Sequence, residues 1–113
     1  MKWNALTQPE QLLALDEESK NEKVFIFKHS TRCSISTAAL NRIERKWSES
    51  DSSLVKPYFL DLLAFRKISN DIADRYNIEH ESPQLLVIEN GKCTFVDAHF
   101  EISYETLMQN VSA

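Results

Sequence analysis

The chain has 113 residues, 42% of them hydrophobic and 27% charged, with a formal net charge of −4 and two cysteines. That size and balance describe one domain, residues 1–113, with its own core, and exclude a disordered segment. Basic residues gather no further than Lys28 with Arg32, or Arg42 with Arg45 and Lys46, which read as solvated faces and leave no footprint for nucleic acid; no apolar run nears the ~18 residues of a membrane span.

Residues 1–6 lack the apolar core of a signal peptide, so a cytoplasmic location is expected. There is no low-complexity tract or internal repeat. Thr7, Gln8, Pro9 and Glu10 fit a capping box with proline in the first turn, and Leu12, Leu13 and Leu15 follow, which predicts a first helix to about residue 18. After the polar 21–23, the continuous apolar run 24–27 is that of a strand buried on both faces. Ile35, Ala39, Ile43 and Trp47, with Leu40 beside them, form one stripe of a helix that the serine-rich 48–53 ends. Residues 54–60 read as a second strand, with Pro57 demanding an edge or bulge on one side.

Ile68, Ile72, Ala73 and Tyr76 mark another helix. Residues 84–88 and 93–100, joined through Asn90-Gly91, form a hairpin, and Ser103 with Glu105 opens a last helix through Leu107 and Val111. The order α, β, α, β, α, β, β, α is an α/β class, thioredoxin-like arrangement. It predicts a central mixed sheet of about four strands flanked by helices, with an extra N-terminal helix.

Cys33 stands between the buried strand and the striped helix. There the helix's unpaired N–H groups and the positive end of its dipole favour a thiolate, the reactive form of cysteine. Arg32 precedes it, and Lys28 and His29 close the strand. The motif is CxxS: Ser36 occupies the place of a second thiol, so exchange has to run on one sulfur, with Arg32, the Ser36 hydroxyl and His29 expected to support the thiolate. Thr31, Ser34, Ser82 and Pro83 are the expected substrate contacts. The Ser82-Pro83 bond is expected to be cis, presenting backbone groups to a substrate disulfide, and Pro9 and Pro57 trans.

Cys93 lies at the far turn of the hairpin, too remote from Cys33 for a disulfide, and reads as structural, so both thiols are expected free. His29 with Cys33 makes only two possible ligands, and His80 and His99 complete no zinc spacing; no metal is expected, and those two histidines read as ordinary surface or loop residues.

Three separated stretches, KHSTRCSIS at 28–36, HESPQLLVIENGK at 80–92 and DAHFEIS at 97–103, resemble in order the monothiol bacilliredoxin family, over essentially the whole chain. The resemblance implies a thioredoxin fold, Cys33 as the active-site cysteine and Pro83 as the cis-proline. It implies removal of bacillithiol from S-bacillithiolated proteins, with bacillithiol as co-substrate, no permanently bound cofactor, and a second low-molecular-weight thiol or another reductase to regenerate Cys33. Many members have proline where this chain has Ser34. Two other readings stay open from the residues: a monothiol glutaredoxin type using glutathione, coenzyme A or an iron-sulfur cluster, and a redox-inert binding module on the same fold.

Overall fold

The computed structural model describes residues 1–111. Its elements run β1 (Asn4–Ala5), α1 (Gln11–Glu18), β2 (Lys23–His29), α2 (Ser34–Lys46), β3 (Val55–Asp61), α3 (Arg66–Tyr76), β4 (Gln84–Glu89), β5 (Lys92–Ala98) and α4 (Tyr104–Val111). They form one five-stranded sheet in the order β1-β3-β2-β4-β5. The β1, β3 and β2 strands are parallel to one another, and β4 and β5 are antiparallel additions. The fifth strand is the departure from the expected four: β1 is two residues long, below the length at which alternation can be read.

The central β2 strand is buried from Val24 through His29. Its alternate residues feed two cores. Val24 and Ile26 pack with Leu12 and Leu15 of α1, Ile68 and Ile72 of α3, and Leu86 and Ile88 of β4. Phe25 and Phe27 pack on the opposite face with Ala39 and Ile43 of α2, Leu107 and Val111 of α4, and Leu85 and Val87 of β4. Trp3 joins this second core, edge-on to Phe25 at 5.6 Å, and its Nε1 donates to Glu44 Oε2 at 2.9 Å.

Two local expectations are refined. The first helix starts at Gln11 with no side-chain cap, and the expected box at Thr7 is not formed: Gln11 Oε1 instead accepts the N–H groups of Thr7 and Gln8 at 2.7 and 2.8 Å and pins the turn that leads into the helix. The Pro57 carbonyl accepts from Asn4 Nδ2 at 3.0 Å. Because a strand residue's N–H and C=O point to the same side, the donor that Pro57 lacks faces the short β1 edge and leaves the β2 ladder whole.

The hairpin turn is as expected, with positive φ at Asn90 and Gly91, and both amides are pinned by Ser19 after α1. Ser103 Oγ accepts the Thr106 N–H at 3.1 Å and caps α4. The strand expected over 93–100 ends at Ala98, where His99 takes φ 57° and a short 3-10 turn, His99–Glu101, follows.

Candidate active site

Parallel β2 and β3 end together, and the chain leaves β2 at His29 to start α2 five residues later, at Ser34. Cys33 is the N-cap of α2, in extended conformation; its N–H donates to Ser30 O at 3.2 Å and its C=O accepts the Thr37 N–H at 3.1 Å. The sulfur is therefore fixed by backbone alone: among the described residues Cys33 Sγ takes part in no hydrogen bond. Cys33 is partly exposed, and Thr31, Arg32 and Ser34 around it are exposed. A shallow groove lined by Thr31, Arg32, Asp61, Leu63 and Ala64 opens beside this loop.

The Ser82-Pro83 bond is cis, the single cis peptide among the described residues, so Pro9 and Pro57 are trans. In the β2–β4 register Lys28 faces Gln84. The residue before Gln84, buried Pro83, is thus carried to the end of the sheet from which the cysteine loop departs. The Pro83 carbonyl accepts the His99 N–H at 3.1 Å, and Arg42 of α2 donates to the carbonyls of His99 and Ile102. These bonds hold the turn His99–Glu101 against the site, and Phe100 on it is 75% exposed. Phe100 has no sequence signature that sets it apart from a core residue at a strand end.

Ser36 does not play the expected part. It is fully buried, and its Oγ lies 2.7 Å from His29 Nδ1 while accepting the Ser30 N–H at 3.0 Å. Burial holds the His29 pKa below its usual value, and one hydrogen joins His29 Nδ1 to Ser36 Oγ, with the donor set by the ring tautomer. The hydroxyl expected to reach back to the thiolate is committed to His29. His29 in turn packs against Phe59 at 5.6 Å between ring centres. The pair braces the turn that precedes Cys33.

Lys28 is the larger correction. Read as an exposed cation near the thiol, it is 1% exposed and lies on the α1 and α3 face of the sheet, in line with Val24 and Ile26. Its Nζ donates to Ser69 O at 3.2 Å and sits 3.3 Å from His80 Nδ1, and burial pushes its pKa down to about 8. His80, read as an ordinary loop histidine, is a partner of this buried ammonium through Nδ1 while much of the residue stays exposed.

Both cysteines are free. Cys93 pairs with Ile88 beside the hairpin turn, five residues along β4 from Pro83, a separation of about 17 Å at the usual strand rise. It is half-buried against the α1 and α3 core, its S–H directed to Phe95 O at 3.3 Å, and burial pushes its thiol pKa up. Replacing Cys93 with alanine is expected to leave exchange at Cys33 within about twofold and to lower stability by about 1 kcal/mol. Loss of exchange in a variant that keeps its circular dichroism spectrum would overturn this placement.

Among the described residues no group of three or more His, Cys, Asp or Glu is placed to hold a metal ion, and no helix is long and apolar enough to cross a membrane.

Comparison with known proteins agrees with this geometry. The family model described as monothiol bacilliredoxin BrxC matches residues 4–107. A solved structure described as a candidate oxidoreductase with a thioredoxin fold is 32% identical, with a TM-score of 0.80 over 93% of this chain and 89% of that one. The thioredoxin of Malassezia sympodialis superposes with a TM-score of 0.75 at 14% identity, over 98% of this chain and 89% of that one. That of Fasciola hepatica gives 0.70 at 15% identity, over 96% of each. At those identities the two thioredoxins speak for the fold alone.

Proposed function

This chain belongs to the monothiol bacilliredoxin family, a thioredoxin-fold thiol oxidoreductase family, and from that membership we propose that it removes bacillithiol from S-bacillithiolated proteins at Cys33. The Cys33 thiolate attacks the bacillithiol sulfur of the client's mixed disulfide. A Cys33–bacillithiol disulfide forms, the client S–S bond breaks, and the client sulfur leaves as thiolate and takes a proton from solvent. A second low-molecular-weight thiol then attacks the bacillithiol sulfur, so that bacillithiol leaves as their mixed disulfide, or another reductase supplies two electrons from a thiol pair, becoming a disulfide itself and freeing bacillithiol as a thiol; either route returns the Cys33 thiol. The setting proposed for this cycle is the reducing cytoplasm, where a lone thiol stays free.

One observation carries this reading: the residue three after Cys33 is a buried serine whose hydroxyl is bound to His29. With Cys93 at the other end of β4, no second thiol lies within the ~7 Å needed to resolve a disulfide inside the chain. The mixed disulfide on Cys33 therefore has to be opened from outside, which suits a carrier of a small thiol. Cys33 at the α2 N-cap is partly exposed to an incoming disulfide, the Thr31 and Arg32 groove suits the polar body of that thiol, and the Ser82-Pro83 backbone suits a substrate disulfide laid against it.

The test is intact-mass spectrometry of the reduced protein mixed with an S-bacillithiolated client, run in parallel with the glutathione and coenzyme A adducts of the same client. A bacillithiol adduct on Cys33 with a freed client thiol is expected, formed faster than the other two. No adduct from any of the three would leave a binding module, and preference for another thiol would reassign the co-substrate.

Exposed Phe100 is the natural contact for a protein-sized client. Phe100→Ser is expected to lower kcat/KM for a protein client by about ten- to a hundredfold, since covering a phenylalanine contributes about 1.5–3 kcal/mol. Reduction of a short peptide–bacillithiol disulfide should be unaltered. Equal losses on both substrates would place Phe100 in the fold of the site and not in client recognition.

A further inference from the structure

The cluster around Lys28 is the least expected feature of the molecule, and the exchange chemistry does not use it. An ammonium is costly to bury, and an aliphatic residue at this position would continue the row of Val24 and Ile26 on the same face. What the ammonium supplies is three donors that radiate from one point. One goes to Ser69 O of α3 at 3.2 Å, and one to Nδ1 of His80 at 3.3 Å; Ser69 Oγ approaches the same nitrogen at 3.4 Å. Burial and the nearby Lys28 and Arg66 charges hold the His80 pKa below its usual value, which keeps Nδ1 available as an acceptor.

Gln84 completes the set. It is 1% exposed and is the direct register partner of Lys28, so the two side chains lie side by side on one face of the sheet. Its Nε2 donates to Glu79 O at 2.9 Å. Its Oε1 is the one buried side-chain acceptor without a hydrogen-bond partner among the described residues. Two buried polar side chains from neighbouring strands thus reach the same short segment, 79–83. That segment joins α3 to β4 and ends in the cis-proline.

We propose that Lys28 is a positioning residue for exchange at Cys33: with Gln84, and through His80, it fixes the 79–83 segment and hence the Pro83 backbone against which an incoming disulfide aligns. It touches neither sulfur nor substrate. The inference rests on the exchange reading above. An apolar side chain would fill the same volume and take away the Lys28 bond to His80, leaving the segment with the Gln84 bond to Glu79 O, the longer Ser69 Oγ contact to His80 and the His99 N–H on the Pro83 carbonyl.

The experiment compares Lys28→Met, His80→Ala and His80→Gln with the wild type on two readouts. One is kcat/KM for a protein mixed disulfide, taken with whichever of bacillithiol, glutathione or coenzyme A the wild type uses. The other is the rate at which iodoacetamide alkylates Cys33, a reaction that needs the thiol and not the proline segment. Lys28→Met and His80→Ala are expected to lose about tenfold in kcat/KM, mainly through KM, with alkylation within about twofold of wild type; His80→Gln, which keeps an acceptor, should recover most of the loss. His80 is largely exposed, so its variants carry the test even where Lys28→Met folds poorly. Wild-type kcat/KM in His80→Ala, or equal losses on both readouts, would overturn the inference while leaving the exchange reading intact. A wild type that exchanges no mixed disulfide at all would overturn both.

Discussion

Cys33→Ser is expected to abolish transfer of bacillithiol while leaving the fold as stable as before. The loss should be on the order of 10³-fold or more, the scale seen when a covalent nucleophile is removed. No other group stands ready to replace it: Cys93 is at the far end of β4 with its thiol pushed toward the protonated form, and the Ser36 hydroxyl is held by His29 and Ser30. Stability should move by less than about 0.5 kcal/mol, or ~3 °C in Tm. Only the backbone of Cys33 takes part in the start of α2, through Ser30 O and Thr37 N–H, and serine is itself a favoured N-cap residue. Intact mass against an S-bacillithiolated client and a thermal melt decide the matter together. Transfer that survives would move the chemistry away from Cys33, and a melt lowered by many degrees would mean that the sulfur packs in the core.

The parts of this site that were legible in the sequence are those fixed by local rules. An unbroken apolar run gives a central strand, a stripe of period near four gives the helix that follows it, and the junction between them locates Cys33. Asn90-Gly91 announces its turn by the positive φ that both residues adopt. The cis bond at Pro83 followed from the fold class and not from the dipeptide. What stayed hidden depends on pairing across the sheet. Lys28 is an ordinary surface residue by type, and only its position in register with Gln84, opposite the turn that follows α3, makes it interior. Ser36 and His29 are seven residues apart, and the strand-to-helix turn that makes them neighbours has no composition of its own. The two-residue β1 strand exists because β3 offers it an edge. One signal for Lys28 was present: a charged residue in step with Val24 and Ile26, in a strand read as buried on both faces, requires buried partners.

That burial has a measurable consequence in the pH dependence of stability. Lys28 carries a folded-state pKa of about 8 against an ordinary 10.5. Below the lower value the side chain is protonated in both states and contributes no slope. Between the two values the unfolded chain keeps a proton that the folded protein has released, so stability rises with pH, by at most ~1.4 kcal/mol per pH unit. Above the ordinary value the slope vanishes again. The wild-type curve alone will not display this cleanly. Cys93, Tyr58 and Tyr76 have pKa values raised by burial, and as pH climbs through their unfolded values the unfolded state loses protons first, which lowers stability. The difference between wild type and Lys28→Met removes those contributions, because both proteins share them. Lys28→Met is expected to match or exceed wild-type stability at neutral pH, as replacing a buried charge by an apolar side chain of similar volume often does. Urea unfolding across the alkaline range should then show the wild type gaining on the variant by at most about 3 kcal/mol as pH approaches 10.5. A difference that stays flat would mean that the ammonium keeps enough water to titrate normally, and would remove the physical cost of burying it. A rising difference means that at neutral pH the protein carries a charge in its core that weakens it, and the segment that charge holds in place is the one that ends in Pro83.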